Sequence, residues 1–169
     1  CYAALVTKWL ENTFGKNNIN YVNAGIGTAG SLFGVHRVDA DVLAHKPDIV
    51  FVDFAVNDKG KDVALEKATF DACIQKIYNS ASKPAIISVA MATEEKINSE
   101  ANESTICNKY SIPMLSFSKY IHSQIVVGKF LWKDIAEDNV HPNKVGHKII
   151  SELVIYYLEK VLTDINKTD

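Results

Sequence analysis

The sequence predicts a doubly wound α/β fold, and three observations carry that expectation. Residues 49–56, Ile-Val-Phe-Val-Asp-Phe-Ala-Val, are almost continuously apolar, as a strand buried on both faces of a parallel sheet should be. Two further short apolar runs, 85–90 and 112–117, alternate with stretches whose apolar residues recur at helical spacing. A glycine-rich turn, Asn23 to Gly30, lies between a short apolar segment and a helical one.

Taken in order, residues 1–14 place Ala4, Leu5, Trp9 and Leu10 at helical spacing, and Gly15 followed by Lys-Asn-Asn supplies the stop. Residues 19–22 are expected to form a short strand leading into the glycine turn. A helix over 32–43 carries Arg37, Asp39 and Asp41, and Pro47 closes the connection to the strand at 49–56. That strand holds Asp53 in its interior and ends in Asn57-Asp58. Helix 63–78, strand 85–90, helix 97–110 and strand 112–117 continue the alternation. An amphipathic segment at 120–127 and an irregular stretch at 128–139 precede a long helix over 143–162. No internal repeat or linker composition interrupts the chain, so one domain over 1–169 is expected.

Composition narrows the function. The chain is 47% hydrophobic and 22% charged, with a net charge of −2 and its charges scattered. No basic stripe recommends a nucleic acid, and no 18-residue apolar run provides a membrane span. A small, uncharged or mixed-charge partner is expected. Cys1, Cys73 and Cys107 are odd in number and widely spaced, which fits neither a disulfide framework nor a zinc site. Cys73 and Cys107 read as buried helix-face residues, and no metal site is expected from Asp138, His141 and His147. His147 reads as a surface or packing residue of the last helix. Glu94, Glu95, Glu100 and Glu103 read as a solvated helix face.

Gly25-Ile26-Gly27-Thr28-Ala29-Gly30 spells G-x-G-x-x-G, the string of a dinucleotide-binding loop. Its surroundings argue against that use. Asp53 lies within a strand rather than at its tip, Asn23-Ala24 interrupts the approach to the first glycine, and Gly34 weakens the first turn of the following helix.

Asp138-Asn139-Val140-His141-Pro142-Asn143 is the run best suited to catalysis. Proline is favoured in a helix's first turn, so Pro142 is expected to start the last helix with His141 at its entrance. Asp138, three residues earlier, can stabilise and orient the imidazole for general-base work near neutral pH. Asn57 follows the strongest strand, where its amide could donate to a developing oxyanion.

In three blocks the chain resembles the SGNH (GDSL-like) hydrolases. The blocks are Asn23-Ala24-Gly25-Ile26-Gly27, the run from Pro47-Asp48-Ile49-Val50 through Ala55-Val56-Asn57-Asp58, and Asp138-Asn139-Val140-His141-Pro142-Asn143. The resemblance extends over essentially the whole chain, including Cys1-Tyr2-Ala3-Ala4-Leu5-Val6, Gly34 with Arg37, and Tyr110-Ser111-Ile112-Pro113. It implies a three-layer α/β/α sandwich with a mainly parallel, flavodoxin-like sheet. It also implies an esterase or acylhydrolase working through a serine nucleophile, with His141 as base, Asp138 as its orienting acid and Asn57 as side-chain oxyanion donor. The second donor would be the backbone N–H at Thr28, where many members carry glycine, with Gly27 keeping the turn flexible. Its glycines would serve close approach to an acyl group.

The family's first block, a strand ending in Gly-Asp-Ser or Gly-Gly-Ser, has no match here. Ser31 and Ser88 are expected to be structural, and the nucleophile is expected upstream of Cys1, on a first strand missing from an N-terminally incomplete domain. The resemblance implies a carbohydrate or small-molecule ester as substrate, carrying an acetyl or other short acyl group, and no cofactor. Oligomeric state and compartment are unspecified. A catalytically silent binding domain with this fold and a nucleotide-binding protein are the competing readings.

Overall fold

A computed structural model of the protein describes residues 1–60, 62–165 and 167. Three apolar runs pair as parallel strands in the order β1 (Ile49–Val52), β2 (Ala85–Ala90), β3 (Met114–Ser116). Val50 lies opposite Ile86, Val52 opposite Ser88, and Ala90 opposite Ser116. Parallel neighbours need crossover connections, and two helices supply them. Helix α3 (Val63–Tyr78) joins β1 to β2, and α4 (Glu100–Lys109) joins β2 to β3. Asp62 starts α3 by accepting the Leu65 N–H at 2.8 Å, the bond that makes aspartate a favoured cap.

By contact the chain divides into two compact units, residues 22–123 and residues 1–21 with the chain from 124 onward. In the first, helix α2 (Ser31–Asp41) packs on α3. Val38, Val50, Val52, Phe70, Ile74 and Ile86 form one buried cluster, each large apolar side chain contributing about 1.5–3 kcal/mol on burial. Gly34 faces this cluster because a Cβ there would fall 2.5 Å from the Phe54 ring. Cys73 and Cys107 are buried as expected, and burial pushes their thiols up to about 12 and about 11. Cys107 lies beside Ser88 of β2.

In the second unit α1 (Tyr2–Phe14) packs along α7 (Lys144–Ile165), and the short α6 (Trp132–Ile135) packs on α7 as well. His147 accepts the Tyr2 N–H at 3.3 Å and stacks on its ring, the packing role expected of it. Gly146 permits a close approach, since a Cβ there would meet the Ile135 carbonyl oxygen at 2.1 Å. Helix α5 (Phe117–Val126) follows β3 directly. No helix among the described residues is long and apolar enough to cross a membrane.

Several expectations are corrected. Residues 19–22 form no strand: their backbone joins no ladder among the described residues, and Tyr21 and Val22 are exposed. A strand is defined by its hydrogen-bonded neighbour, which an apolar run alone does not supply. Strand β1 ends at Val52, leaving Asp53 just beyond it, because residues 55–57 turn and the Asp58 N–H bonds the Phe54 carbonyl. Helix α4 starts at Glu100, since Thr93 exchanges bonds with the Ile97 N–H and carbonyl in the preceding loop.

The expected solvated glutamate face is also divided. Glu94 and Glu95 are exposed, but Glu100 and Glu103 are buried. Glu100 is held by the Ser116 hydroxyl at 2.8 Å and by Lys119 at 2.7 Å. Neither oxygen of Glu103 has a hydrogen-bond partner among the described residues. Burial, followed by the nearby charges of Asp58, Asp53, Glu66 and Glu100, pushes its carboxyl up from 4.5 to about 9. A charged form there would be costly, so the group stays protonated at neutral pH.

Because the folded chain retains a proton that the unfolded chain releases, this contribution to stability is fully present below pH 4.5 and is lost as pH rises through about 9. Glu103→Gln removes the titrating proton, and urea unfolding from pH 5 to 9 is expected to show a flatter decline in stability than the unsubstituted chain. An unchanged decline would show that Glu103 is not its source.

Candidate active site

The His141 loop is built by local bonds between α6 and α7. Asp134 accepts the Leu131 N–H at 2.8 Å, starting α6. The Trp132 indole N–H then donates to the Asp138 carbonyl at 2.7 Å, fixing the far side of the loop. Ala136 and Pro142 form an isolated antiparallel bridge, and the Glu137 N–H bonds the His141 carbonyl at 2.8 Å. Pro142 therefore does not occupy the first turn of the last helix. Asn143 is the capping residue, its side chain accepting the Val145 and Gly146 N–H groups at 2.8 and 3.1 Å. The proline sits ahead of that cap because its extended backbone closes the bridge to Ala136.

Within this loop Asp138 and His141 are brought together. One carboxylate oxygen of Asp138 accepts the Val140 and His141 backbone N–H groups, both at 2.7 Å. The other contacts His141 Nδ1 at 2.8 Å. The His141 N–H first, then its ring and the Val140 N–H, hold the Asp138 carboxyl down at about 2. A carboxylate only accepts, so the contacting Nδ1 carries the proton and Nε2 of a neutral ring presents its lone pair. His141 is 75% exposed at its side chain, so this nitrogen is reachable. Such a histidine can take a proton from a hydroxyl and return it to a leaving group.

In the other unit, Asn23 accepts the Gly25 N–H at 3.0 Å, an Asx-type turn. Arg37 donates to the Ala24 carbonyl at 3.0 Å while pairing with Asp41 and covering the Phe33 ring. At the tip, Thr28 adopts φ 64, the left-handed region that a β-branched residue disfavours. Its hydroxyl bonds the Gly27 carbonyl at 2.6 Å. A Cβ at Gly27 would meet nothing within 4 Å. The space above this turn is open, and no packing within the fold requires glycine there. Asn57 is exposed at the carboxyl end of β1 and spends one amide N–H on the Ala29 carbonyl at 3.1 Å.

Ser31 and Ser88 are both fully buried, consistent with structural duty. Among the described residues no group of three or more His, Cys, Asp or Glu side chains could hold a metal ion. Two contributors to these arrangements escaped the sequence reading. Trp132 lies six residues from Asp138 across an irregular stretch, where no periodicity predicts contact. Asp58, placed by the sequence only at the end of the strand with Asn57, is 1% exposed, and the polar pair after the apolar run 54–56 carries no sign of which member turns inward.

The parallel α/β fold, the Asp138–His141 pair and the glycine turn tied to the exposed Asn57 are features that hydrolases use, and comparison gives the chain a family. The chain belongs to the GDSL-like lipase/acylhydrolase family, whose model matches residues 1–149. A two-domain esterase active on acetylated mannans is 34% identical, with a TM-score of 0.89 over 95% of this chain and 43% of that one. The present chain thus spans less than half the length of that relative. An acetyl xylan esterase shares the fold at 18% identity and TM-score 0.78, covering 92% of this chain and 89% of that one. A catalytic mutant of an acetylxylan esterase from Geobacillus stearothermophilus does so at 20% identity and TM-score 0.78, covering 92% and 79%. The comparison with curated proteins finds no match. The G-x-G-x-x-G string therefore lies within the residues that the GDSL-like family model matches, and the fold is that of the SGNH hydrolases.

Two outcomes follow from the geometry. The Asp138 carboxyl, with its folded value below the usual 3.8, holds the loop fully above that pH and releases it as pH falls through about 2. Carboxyl NMR titration is expected to find that midpoint, and His141→Ala to move it upward; a midpoint near 3.8 in the unsubstituted chain contradicts the bonding described. Thr28→Gly relieves a left-handed residue and is expected to stabilise the chain by about 1 kcal/mol in denaturant unfolding, whereas a loss would mean the threonine hydroxyl outweighs the strain.

Proposed function

We propose that the protein is an ester hydrolase of the acylhydrolase type that removes acetyl groups from a carbohydrate, within a single SGNH-type domain. The observation that carries this reading is the Asp138–His141 pair, with Nδ1 committed to the carboxylate and an exposed ring for the reacting hydroxyl. Family membership supports ester chemistry, and the 34%-identical esterase active on acetylated mannans supports the substrate class.

In this reading a serine attacks the ester carbonyl while its proton passes to His141 Nε2. The carbonyl oxygen becomes an oxyanion that accepts hydrogen bonds from the second N–H of the Asn57 amide and the backbone N–H of Thr28, with Gly27 leaving room for the acyl group. Collapse breaks the carbonyl carbon–alcohol oxygen bond, and His141 gives its proton to the departing alcohol. Water, deprotonated by the same imidazole, then frees the acid and restores the serine. Asp138 keeps the ring in one tautomer and stabilises its charged form. The reaction uses no cofactor.

The test uses the longest encoded chain that contains these residues, assayed on p-nitrophenyl acetate and for acetate release from acetylated mannan. His141→Ala and Asp138→Ala are expected to lower kcat by about 10²–10⁴-fold. Asn57→Ala is expected to cost about 10²–10³-fold. Rates unchanged in all three would sink the assignment, and hydrolysis of the small ester without acetate release from mannan would remove the proposed substrate class.

A further inference from the structure

We infer that Asp58 is a positioning residue for the oxyanion turn, acting as a remote cap for helix α2. The inference rests on the proposed reading of Asn57 and Thr28 as oxyanion donors.

The first N–H groups of a helix have no partner within it and are normally met by the side chain of the capping residue. The cap of α2 is Gly30, which has no side chain to offer. Asp58 fills the vacancy from across the unit, its Oδ1 accepting the Ser31 N–H at 2.9 Å. Both residues are almost completely buried, at 1% and 0% exposure. A carboxylate at a helix N-terminus also meets the positive end of the helix dipole, and a charge-assisted bond shielded from water is stronger than a neutral one.

The position of this bond gives it consequences for the turn. Ser31 is the first residue after the 25–30 turn, and Asp58 is the first after Asn57. Asp58 thus ties the backbone that carries Thr28 to the backbone that carries the asparagine. Its own N–H is held by the Phe54 carbonyl at 2.9 Å, and Ala55 in the same turn accepts the Ser99 N–H at 2.7 Å. The turn after β1 is therefore anchored before it reaches across.

A second anchor acts on Ser31 itself. The Thr69 hydroxyl donates to the Leu65 and Glu66 carbonyls, so the 2.7 Å contact between the two hydroxyls has Ser31 as donor. The parallel bond from Asn57 to the Ala29 carbonyl spans the same gap near the surface. With the exposed amide tie and the buried carboxylate tie side by side, the separation between the Asn57 amide and the turn is constrained at two levels. An oxyanion site needs its donors fixed before charge develops, and this is what a buried second tie provides.

The test reads the tie and its catalytic consequence separately. In the isolated chain, amide exchange by NMR is expected to quicken at Ser31 by roughly 10–100-fold in Asp58→Ala, with Val89 in β2 as the unaffected control. Asp58→Asn, which keeps an acceptor but loses the charge, is expected to fall between the two. In the longest encoded chain, Asp58→Ala is expected to lower kcat on p-nitrophenyl acetate about tenfold or more while KM stays within about twofold, and asparagine to restore part of the loss. Unsubstituted protection at Ser31 in Asp58→Ala, or in Asp58→Asn should the alanine variant not fold, overturns the proposal. So does a loss confined to KM. If the unsubstituted protein hydrolyses no ester, the oxyanion reading fails by itself, and the exchange arm still decides whether Asp58 caps α2.

Discussion

The pairing of three parallel strands is the constraint on which the sheet-containing unit depends. Each buried backbone N–H and C=O must find a partner, and a parallel ladder meets that need only if every strand runs the same way. The chain must then cross back by α3 and α4 between strands. Every return delivers a connection at the carboxyl end of a strand, the end at which open α/β sheets assemble their sites. Asn57 and Asp58 stand at such an end because β1 stops at Val52 and the chain turns at once.

Around that frame the protein uses similar carboxyl groups for opposite purposes, and the surroundings decide which. Asp138, exposed and surrounded by N–H donors, is a strong acceptor held ionised far below neutrality. Glu103, buried without a hydrogen-bond partner among the described residues and near other acids, keeps its proton well above neutrality. Glu100, one turn earlier on the same helix, is buried with one oxygen bonded to a hydroxyl and the other beside an ammonium. Burial without a donor raises the Glu103 carboxyl, and N–H donors lower that of Asp138.

Much of the fold was legible because it rests on local patterns. The continuous apolar run at 49–56, the alternation of strand and helix, and the turn residues are visible without neighbours. The errors arose where an element needed a partner elsewhere in the chain. Residues 19–22 have the composition of a strand but no ladder, and α4 turns two glutamates inward because partners on other elements receive one and protonation makes the other tolerable. The Asp138–His141 pair was legible because three residues of local chain bring its members together, whereas the indole bond from Trp132 crosses an irregular segment with no pattern to announce it.

By itself the sequence determined the α/β class, the family blocks, and which residue types stand ready for ester chemistry, since these depend on short-range spacing and side-chain identity. Only the tertiary structure decided that Asn143 rather than Pro142 starts α7, that Thr28 occupies a left-handed conformation, and that Asp58 meets Ser31 from 27 residues away. Those outcomes depend on where a donor finds its acceptor. Hydrogen bonds between distant residues exist only after the chain has brought them within about 3 Å, and no local pattern records that distance.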